Sequence, residues 1–219
     1  MWLDPALVAV RWYADHGYYG IKIYNSMPPD FVAPVAAEAH RLGLRVMGHV
    51  PAFMSSERAI REGFDEITHI NQLLLSLIIN PEQDDTRTPF RFTALGERLG
   101  SLDLRSEHVR RFIALMQARG IALDPTVAIF QQILLSRPGA VAPNDAGWLA
   151  HMPAGFQRQR MRGQVDMKPS QELAYLASWQ KLLAALKLLD DSGIRLVPGT
   201  DNAPGFIRAG TCTSRRRST

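Results

Sequence analysis

Four side chains in this sequence could gather a hard or borderline metal cation: Lys22, His49, His69 and Asp201. Each falls at or just past the C-terminal end of a short β-rich run, so four separate strands would deliver them to one rim. Pleat alternation places two of them. In the run Tyr19–Tyr24, Ile21 and Ile23 share a face with Tyr19 and Lys22 takes the other; in Leu44–Val50, Leu44 and Val46 oppose His49. If the aliphatic faces pack on helices, Lys22 and His49 point the opposite way, into a barrel. A lysine on such a face costs several kcal/mol to desolvate unless it is neutralised or paired. One remedy is carbamylation: a neutral amine adds carbon dioxide, and the resulting carbamate is an anionic oxygen ligand able to bridge two cations. Two imidazoles and a carboxylate complete a donor set suited to zinc or a similar divalent ion.

The elements that must position these residues alternate between strand and helix. Runs with strand character cover 19–24, 44–50, 64–70, 121–127 and 194–199. Helical patterns cover 30–42, 55–62, 106–119 and 170–191, and Gly43, Gly120 and Gly193 stand where three of them must stop. An opening amphipathic helix starts at Asp4-Pro5 and closes at Gly17. Strands separated by helices predict βαβ units and a parallel sheet, with all C-terminal strand ends on one face. Two stretches break the rhythm, 71–105 and 130–168; excursions of that length after strand ends read as substrate loops or lids.

Composition limits the alternatives. The chain has 219 residues, 46% of them hydrophobic and 21% charged, enough to bury a substantial core. No uncharged apolar run reaches about 18 residues, so no membrane span is expected. The pI of about 9.5 invites a nucleic-acid partner. Yet Arg215, Arg216 and Arg217 in the terminal tail account for most of the formal charge of +4, and the remaining body is near neutral, a poor footprint for DNA or RNA. The single cysteine, Cys212, excludes a disulfide framework and a thiolate metal site and leaves the compartment open. The opening residues lack the basic and apolar regions of a signal peptide. Residues 207–219 have almost no apolar content and read as a disordered basic tail on a domain spanning 1–206.

The motifs Gly20-Ile21-Lys22-Ile23-Tyr24, Gly48-His49-Val50-Pro51, Glu66-Ile67-Thr68-His69 and Pro198-Gly199-Thr200-Asp201, in this order and with these helices between them, resemble the metal-dependent amidohydrolase superfamily, nearest its imidazolonepropionase-like and Xaa-Pro dipeptidase-like branch. The resemblance runs from about Gly17 to Gly205. It implies an α/β fold, a partial (β/α)8 TIM barrel holding approximately strands 4 to 8. By the same resemblance, the first strands, with the His-x-His pair that the family carries on its first strand, and the terminal small β-domain are expected to have no counterpart in these 219 residues. It also implies that Lys22 is carboxylated and bridges two metals, that His49 and His69 ligate the second, and that Asp201 binds the first and acts as base on the hydrolytic water. The implied cofactor is a divalent metal, zinc by preference: one or two ions in the full site and at most one here. The implied substrate is a small molecule or a dipeptide-like compound with a C–N bond to hydrolyse. A half-barrel would expose strand edges and self-associate through them.

Other readings of the same residues stay open. Lys22 can be a strand-edge lysine reaching solvent, His49 and His69 core histidines with backbone partners, and Asp201 a turn residue. Asp124-Pro125-Thr126 can touch substrate or merely end a strand, and Arg158, Arg160 and Arg162 can grip a substrate carboxylate or belong to a solvated loop. His16, His40, His108 and His151 read as structural or solvated. The whole chain can be a hydrolase part or a non-catalytic remnant that keeps half-barrel packing as an interaction module.

Overall fold

The computed structural model describes residues 3–143, 145–163, 165, 167–199 and 201. The expected tail at 207–219, Cys212 and the three consecutive arginines lie outside the described residues. The chain opens with α1 (Leu3–Asp15), enters β1 (Gly20–Ile23) and returns through α2 (Val32–Arg41) to β2 (Arg45–Gly48). Then come α3 (Ser56–Arg61), β3 (Glu66–Thr68), α4 (Ile70–Leu75), α5 (Phe90–Arg98), α6 (Glu107–Arg119) and β4 (Ala122–Asp124). The last part holds α7 (Val127–Leu135), α8 (Ala154–Arg160), α9 (Glu172–Asp191) and β5 (Arg195–Leu196).

All five strands pair in parallel, in the order of the chain, from β1 to β5. Sequential parallel order is what right-handed βα crossovers generate when each new strand is laid beside the last, and it is the order of a barrel wall. The strands are shorter than the β-rich runs, because only their central residues form the ladder; the flanks turn into the rim.

Local signals explain where the helices stop and start. Ser55 and Ser106 accept hydrogen bonds from the amides of Arg58 (3.1 Å) and Val109 (3.3 Å), capping α3 and α6. Gly120 adopts φ 62° after α6, a left-handed turn that glycine makes without steric cost. At Gly48 (φ 126°) a Cβ would come within 2.9 Å of the Ile23 amide nitrogen, so β1 and β2 approach closely only because no side chain stands there.

One face of the sheet carries the core. Ile21, Ile23, Val46, Ile67 and Leu123 are buried in a single cluster with Val35 and Ala39 of α2, Phe112 and Met116 of α6, and Leu182 and Leu189 of α9. Burying each of these larger aliphatic side chains is worth about 1.5–3 kcal/mol, which locks the alternation in register, since a one-residue slip would reverse every face. The opposite face is charged and largely open: Lys22 and Arg195 are exposed, and Arg45, Glu66 and Asp124 are half-buried.

Both expected excursions are folded rather than loose. The first holds α4, α5 and a 3-10 turn over Leu99–Ser101; the second holds most of α7, all of α8 and a 3-10 turn over Leu149–His151. The helix α9 packs against α5, α7 and the Leu99–Ser101 turn, tying the excursions to the body. Two readings are corrected here. Ile70 and Val127 begin helices and do not end strands. Arg158 and Arg160 belong to α8, and Arg160 is 2% exposed with its guanidinium on Asp145 at 2.8 Å, so it is no part of a solvated loop. Among the described residues no helix is long and apolar enough to cross a membrane.

Candidate active site at the C-terminal strand ends

His49 follows β2 directly, and its amide donates to the Ile23 carbonyl at 2.9 Å, which ties it to the end of β1. His69 stands between β3 and α4 with φ 71° and donates its amide to the Asp124 carbonyl at 2.7 Å. A non-glycine residue at such a φ is costly and is held only where its surroundings dictate it. Thr126 (φ 42°) and Asp201 (φ 47°) share the left-handed region, so three of the strand-to-rim turns are strained at the same place.

The two imidazoles meet there, with ring centroids 4.5 Å apart and an edge-to-face tilt. Tyr24 covers His49 from the β1 side, its ring 4.3 Å away. His69 Nδ1 lies 2.7 Å from Thr126 Oγ1, which leaves Nε2 facing Asp201 Oδ2 at 3.7 Å. The buried Nδ1 of His49 has no hydrogen-bond partner among the described residues. An orphaned ring nitrogen beside a second imidazole is an invitation to an external acceptor of its lone pair or its proton.

Electrostatics favour the neutral rings. Burial, reinforced by the charges of His69, Lys22 and Arg91, pulls His49 down to about 3. Burial likewise lowers His69 to about 4, with Asp201 opposing and Lys22 and Arg91 reinforcing. Both rings are therefore uncharged near neutral pH, the form that ligates metals. Burial also raises the carboxyls of Asp124 and Glu66, and each feels the Lys22 charge as a countereffect. Lys22 thus acts on the same side of the sheet as the histidines, although its own side chain is exposed on the open face. Asp124 accepts hydrogen bonds from the amides of Thr126 (3.2 Å) and Gly199 (3.0 Å), linking the turns that present His69 and Asp201.

The histidines and Asp201 open on a cavity of about 160 Å³. Its other walls are Tyr24, Asn71, Gln72, Arg91, Phe92, Ile129, Phe130 and Ile133, most of them from the two excursions. The sequence reading missed these residues because the excursions carry no motif; their only signal was length. Of the expected site, the structure gathers His49, His69 and Asp201 around one cavity and leaves the Lys22 side chain exposed on the open face of the sheet, outside that lining. Among the described residues, no group of three or more His, Cys, Asp and Glu side chains converges closely enough to hold a metal. The donor chemistry nonetheless suits a divalent ion: two neutral imidazoles, one with an unmet ring nitrogen, and a carboxylate next to the other.

No protein-family profile matches this chain, and no curated protein matches its sequence. Solved structures do match. Bottromycin amidohydrolase superposes with a TM-score of 0.59 at 18% identity, over 92% of this chain and 41% of that one. An ochratoxinase from A. niger gives 0.50 at 16% identity, over 93% and 36% respectively. This chain shares the fold of the matched part of these two structures. A Xaa-Pro dipeptidase with methionine bound in its active site is also similar, with a TM-score of 0.48 at 16% identity over 95% of this chain and 40% of that one. This chain therefore spans about two fifths of the length of the amidohydrolase-type structures it matches.

Proposed function

We propose that this chain carries part of a metal-dependent hydrolase of C–N bonds, acting on an amide, cyclic amide or dipeptide-like small molecule. In this reading the five strands correspond to strands 4 to 8 of an eight-stranded barrel, and the imidazolonepropionase-like and Xaa-Pro dipeptidase-like enzymes are its nearest branch. The observation that carries it is the His49–His69 pair, neutral and buried, which lines a cavity together with Asp201, the buried Nδ1 of His49 having no hydrogen-bond partner among the described residues.

His49 and His69 would supply two imidazoles to a single divalent ion, zinc by preference, and Asp201 and a carboxylated Lys22 would have to draw in to complete its ligands, since among the described residues no three such side chains converge on one point. Such an ion supplies polarisation of the amide carbonyl and acidification of a water molecule. The residues of the chain do the rest. With the ion bound at Nε2, His69 Nδ1 would carry the proton and donate it to Thr126 Oγ1, 2.7 Å away. Asp201, whose half-exposed Oδ2 lies 3.7 Å from His69 Nε2, would take a proton from water during attack on the carbonyl. Phe92, Ile129, Phe130 and Ile133 form an apolar wall that limits the access of bulk water and orients an apolar substituent.

A second reading, a non-catalytic remnant or interaction module, is favoured by the exposure of Lys22 and by the absence of a third convergent ligand among the described residues. One experiment separates the two: zinc content after exhaustive dialysis, together with ammonia or amine release from dipeptides, N-acyl amino acids and cyclic amides. The hydrolase reading requires near-stoichiometric zinc that is lost in His49→Ala and turnover that disappears in Asp201→Asn. Metal-free protein that hydrolyses none of these compounds supports the remnant, which would self-associate through the free edges of β1 and β5.

A further inference from the structure

Helix α9 is apolar on two sides. Its inner side, with Tyr175, Ser178, Leu182, Ala185 and Leu189, is buried, and the helix packs there against α5, α7 and the Leu99–Ser101 turn. On the opposite side, at the same helical spacing, Leu173 (80% exposed), Leu176 (42%), Leu183 (36%), Ala177 and Ala184 face solvent, interrupted by Gln180 and Lys187. The solvent side of α6, by contrast, carries Glu107, Arg110, Arg111 and Gln117, the polar complement that an outer helix of a water-facing domain ordinarily shows. A helix that is apolar on both sides is one that is covered on both.

The order of residues along this stripe says what covers it, because it reads nearly the same from either end. Gln180 is the midpoint; Leu176 and Ala177 stand one turn before it and Leu183 and Ala184 one turn after, with Glu172 two turns before and Lys187 two turns after. We infer that the outer face of α9 binds a second copy of this chain, the two helices lying antiparallel about a two-fold axis at Gln180. That rotation lays Leu176 and Ala177 of one copy over Leu183 and Ala184 of the other, the alanines giving room for the leucines. It also sets Glu172 beside Lys187 and Lys168 beside Asp191 at both ends of the contact, and it brings opposite helix-dipole ends together. Within one chain Glu172 pairs with Arg137 at 3.3 Å and Lys187 with Asp191 at 2.6 Å. These are exposed pairs worth little on their own, so sharing them with a second copy costs little. The inference holds for a hydrolase and for a remnant alike, and it uses a helix face and not the edges of β1 and β5.

A single pair of helices is a small interface, so sedimentation equilibrium from about 1 to about 100 μM should show a reversible monomer–dimer equilibrium. Ala184→Arg, at an exposed position, puts bulk and charge into the contact and should weaken dimerisation by roughly tenfold or more. Glu172→Lys sets like charges together and should weaken it by roughly threefold, and adding Lys187→Glu should restore it. In a Cys212→Ser background, Gln180→Cys should form an intermolecular disulfide under mild oxidation, because the axis brings that position onto itself, while Tyr19→Cys beside the edge of β1 should not. The crosslink is read in a chain with an intact apolar stripe, so it decides the matter even if Ala184→Arg folds poorly. Zinc content and turnover should be the same in Ala184→Arg as in the wild-type chain, which separates this inference from the hydrolase reading. A monomer at every concentration, a dimer undiminished in folded Ala184→Arg, or crosslinking at Tyr19→Cys in place of Gln180→Cys overturns it.

Discussion

The imidazole of His69 and the hydroxyl of Thr126 are paired at 2.7 Å between the ends of β3 and β4, 57 residues apart in the chain. The bond settles which ring nitrogen of His69 faces the cavity, because the other one is engaged. Thr126 is only 1% exposed, so its hydroxyl has no water to turn to, and the pair is held by mutual need.

Thr126→Val keeps the shape and β-branching of the side chain, and with it the same cost at φ 42°, while deleting the hydroxyl that pairs with His69 Nδ1. His69 would then lose its tautomer control. Zinc affinity, followed by competition with a chromogenic chelator, should fall by roughly 10- to 100-fold while the circular dichroism spectrum stays unchanged. Undiminished affinity would show that the hydroxyl does not orient the ring.

Stability should depend on pH through the histidines. His49 and His69 titrate at about 3 and about 4 in the folded chain, against the ordinary histidine value of 6.5. Between those values the unfolded chain binds more protons than the folded one, so stability rises with pH. In chelator-treated protein the urea midpoint should be steady above pH 7, decline as pH drops through 6.5, and continue to decline toward 4. Glu38, held at about 2 by Arg41 and Arg11, adds a loss of the same sign, which sets in as pH falls below the ordinary value of 4.5 and runs on toward 2. His49→Gln should flatten the slope between about pH 3 and 6.5. An unaltered slope in that variant would place the proton uptake elsewhere.

The second excursion is fastened by the buried pair of Arg160 and Asp145, 2% and 1% exposed, with Arg160 also donating to Gln132 of α7 at 2.8 Å. Arg160→Met leaves a buried carboxylate without its counter-charge and should cost about 3–5 kcal/mol in urea unfolding. The double variant Arg160→Met/Asp145→Leu removes both charges and should recover most of that loss. If the single variant unfolds at the wild-type midpoint, the pair is not what secures the excursion.

The sheet was legible because its signals are local. Period-two alternation in Tyr19–Tyr24 and Leu44–Val50 and the stop residues Gly43, Gly120 and Gly193 act within a few positions, and the motifs at His49 and His69 sit where those strands must end. The cavity wall was not legible. Arg91, Phe92, Ile129 and Ile133 reach the site through tertiary packing of α5 and α7 on α9, and nothing within ten residues of them marks that destination. Arg160 was misread for the same reason: its alternation with Arg158 and Arg162 looks solvent-facing, while the partner that buries it is 15 residues away on another turn.

Gly199 tests how closely the Asp201 turn is fitted. Its backbone requires no glycine-specific φ, so the constraint on it is space alone. A Cβ there would lie 2.7 Å from Asp124 Oδ1, the atom that accepts the Gly199 amide hydrogen at 3.0 Å. Gly199→Ala must therefore push the turn off β4 or swing the Asp124 carboxylate away, and overpacking of this kind costs about 1–3 kcal/mol. Because Asp201 is two residues on, zinc affinity should weaken together with stability. Asp124→Ala removes the obstacle and the acceptor at once, so the double variant should be no less stable than Asp124→Ala alone. Additive losses in that cycle would mean that Gly199 and Asp124 do not set each other's position.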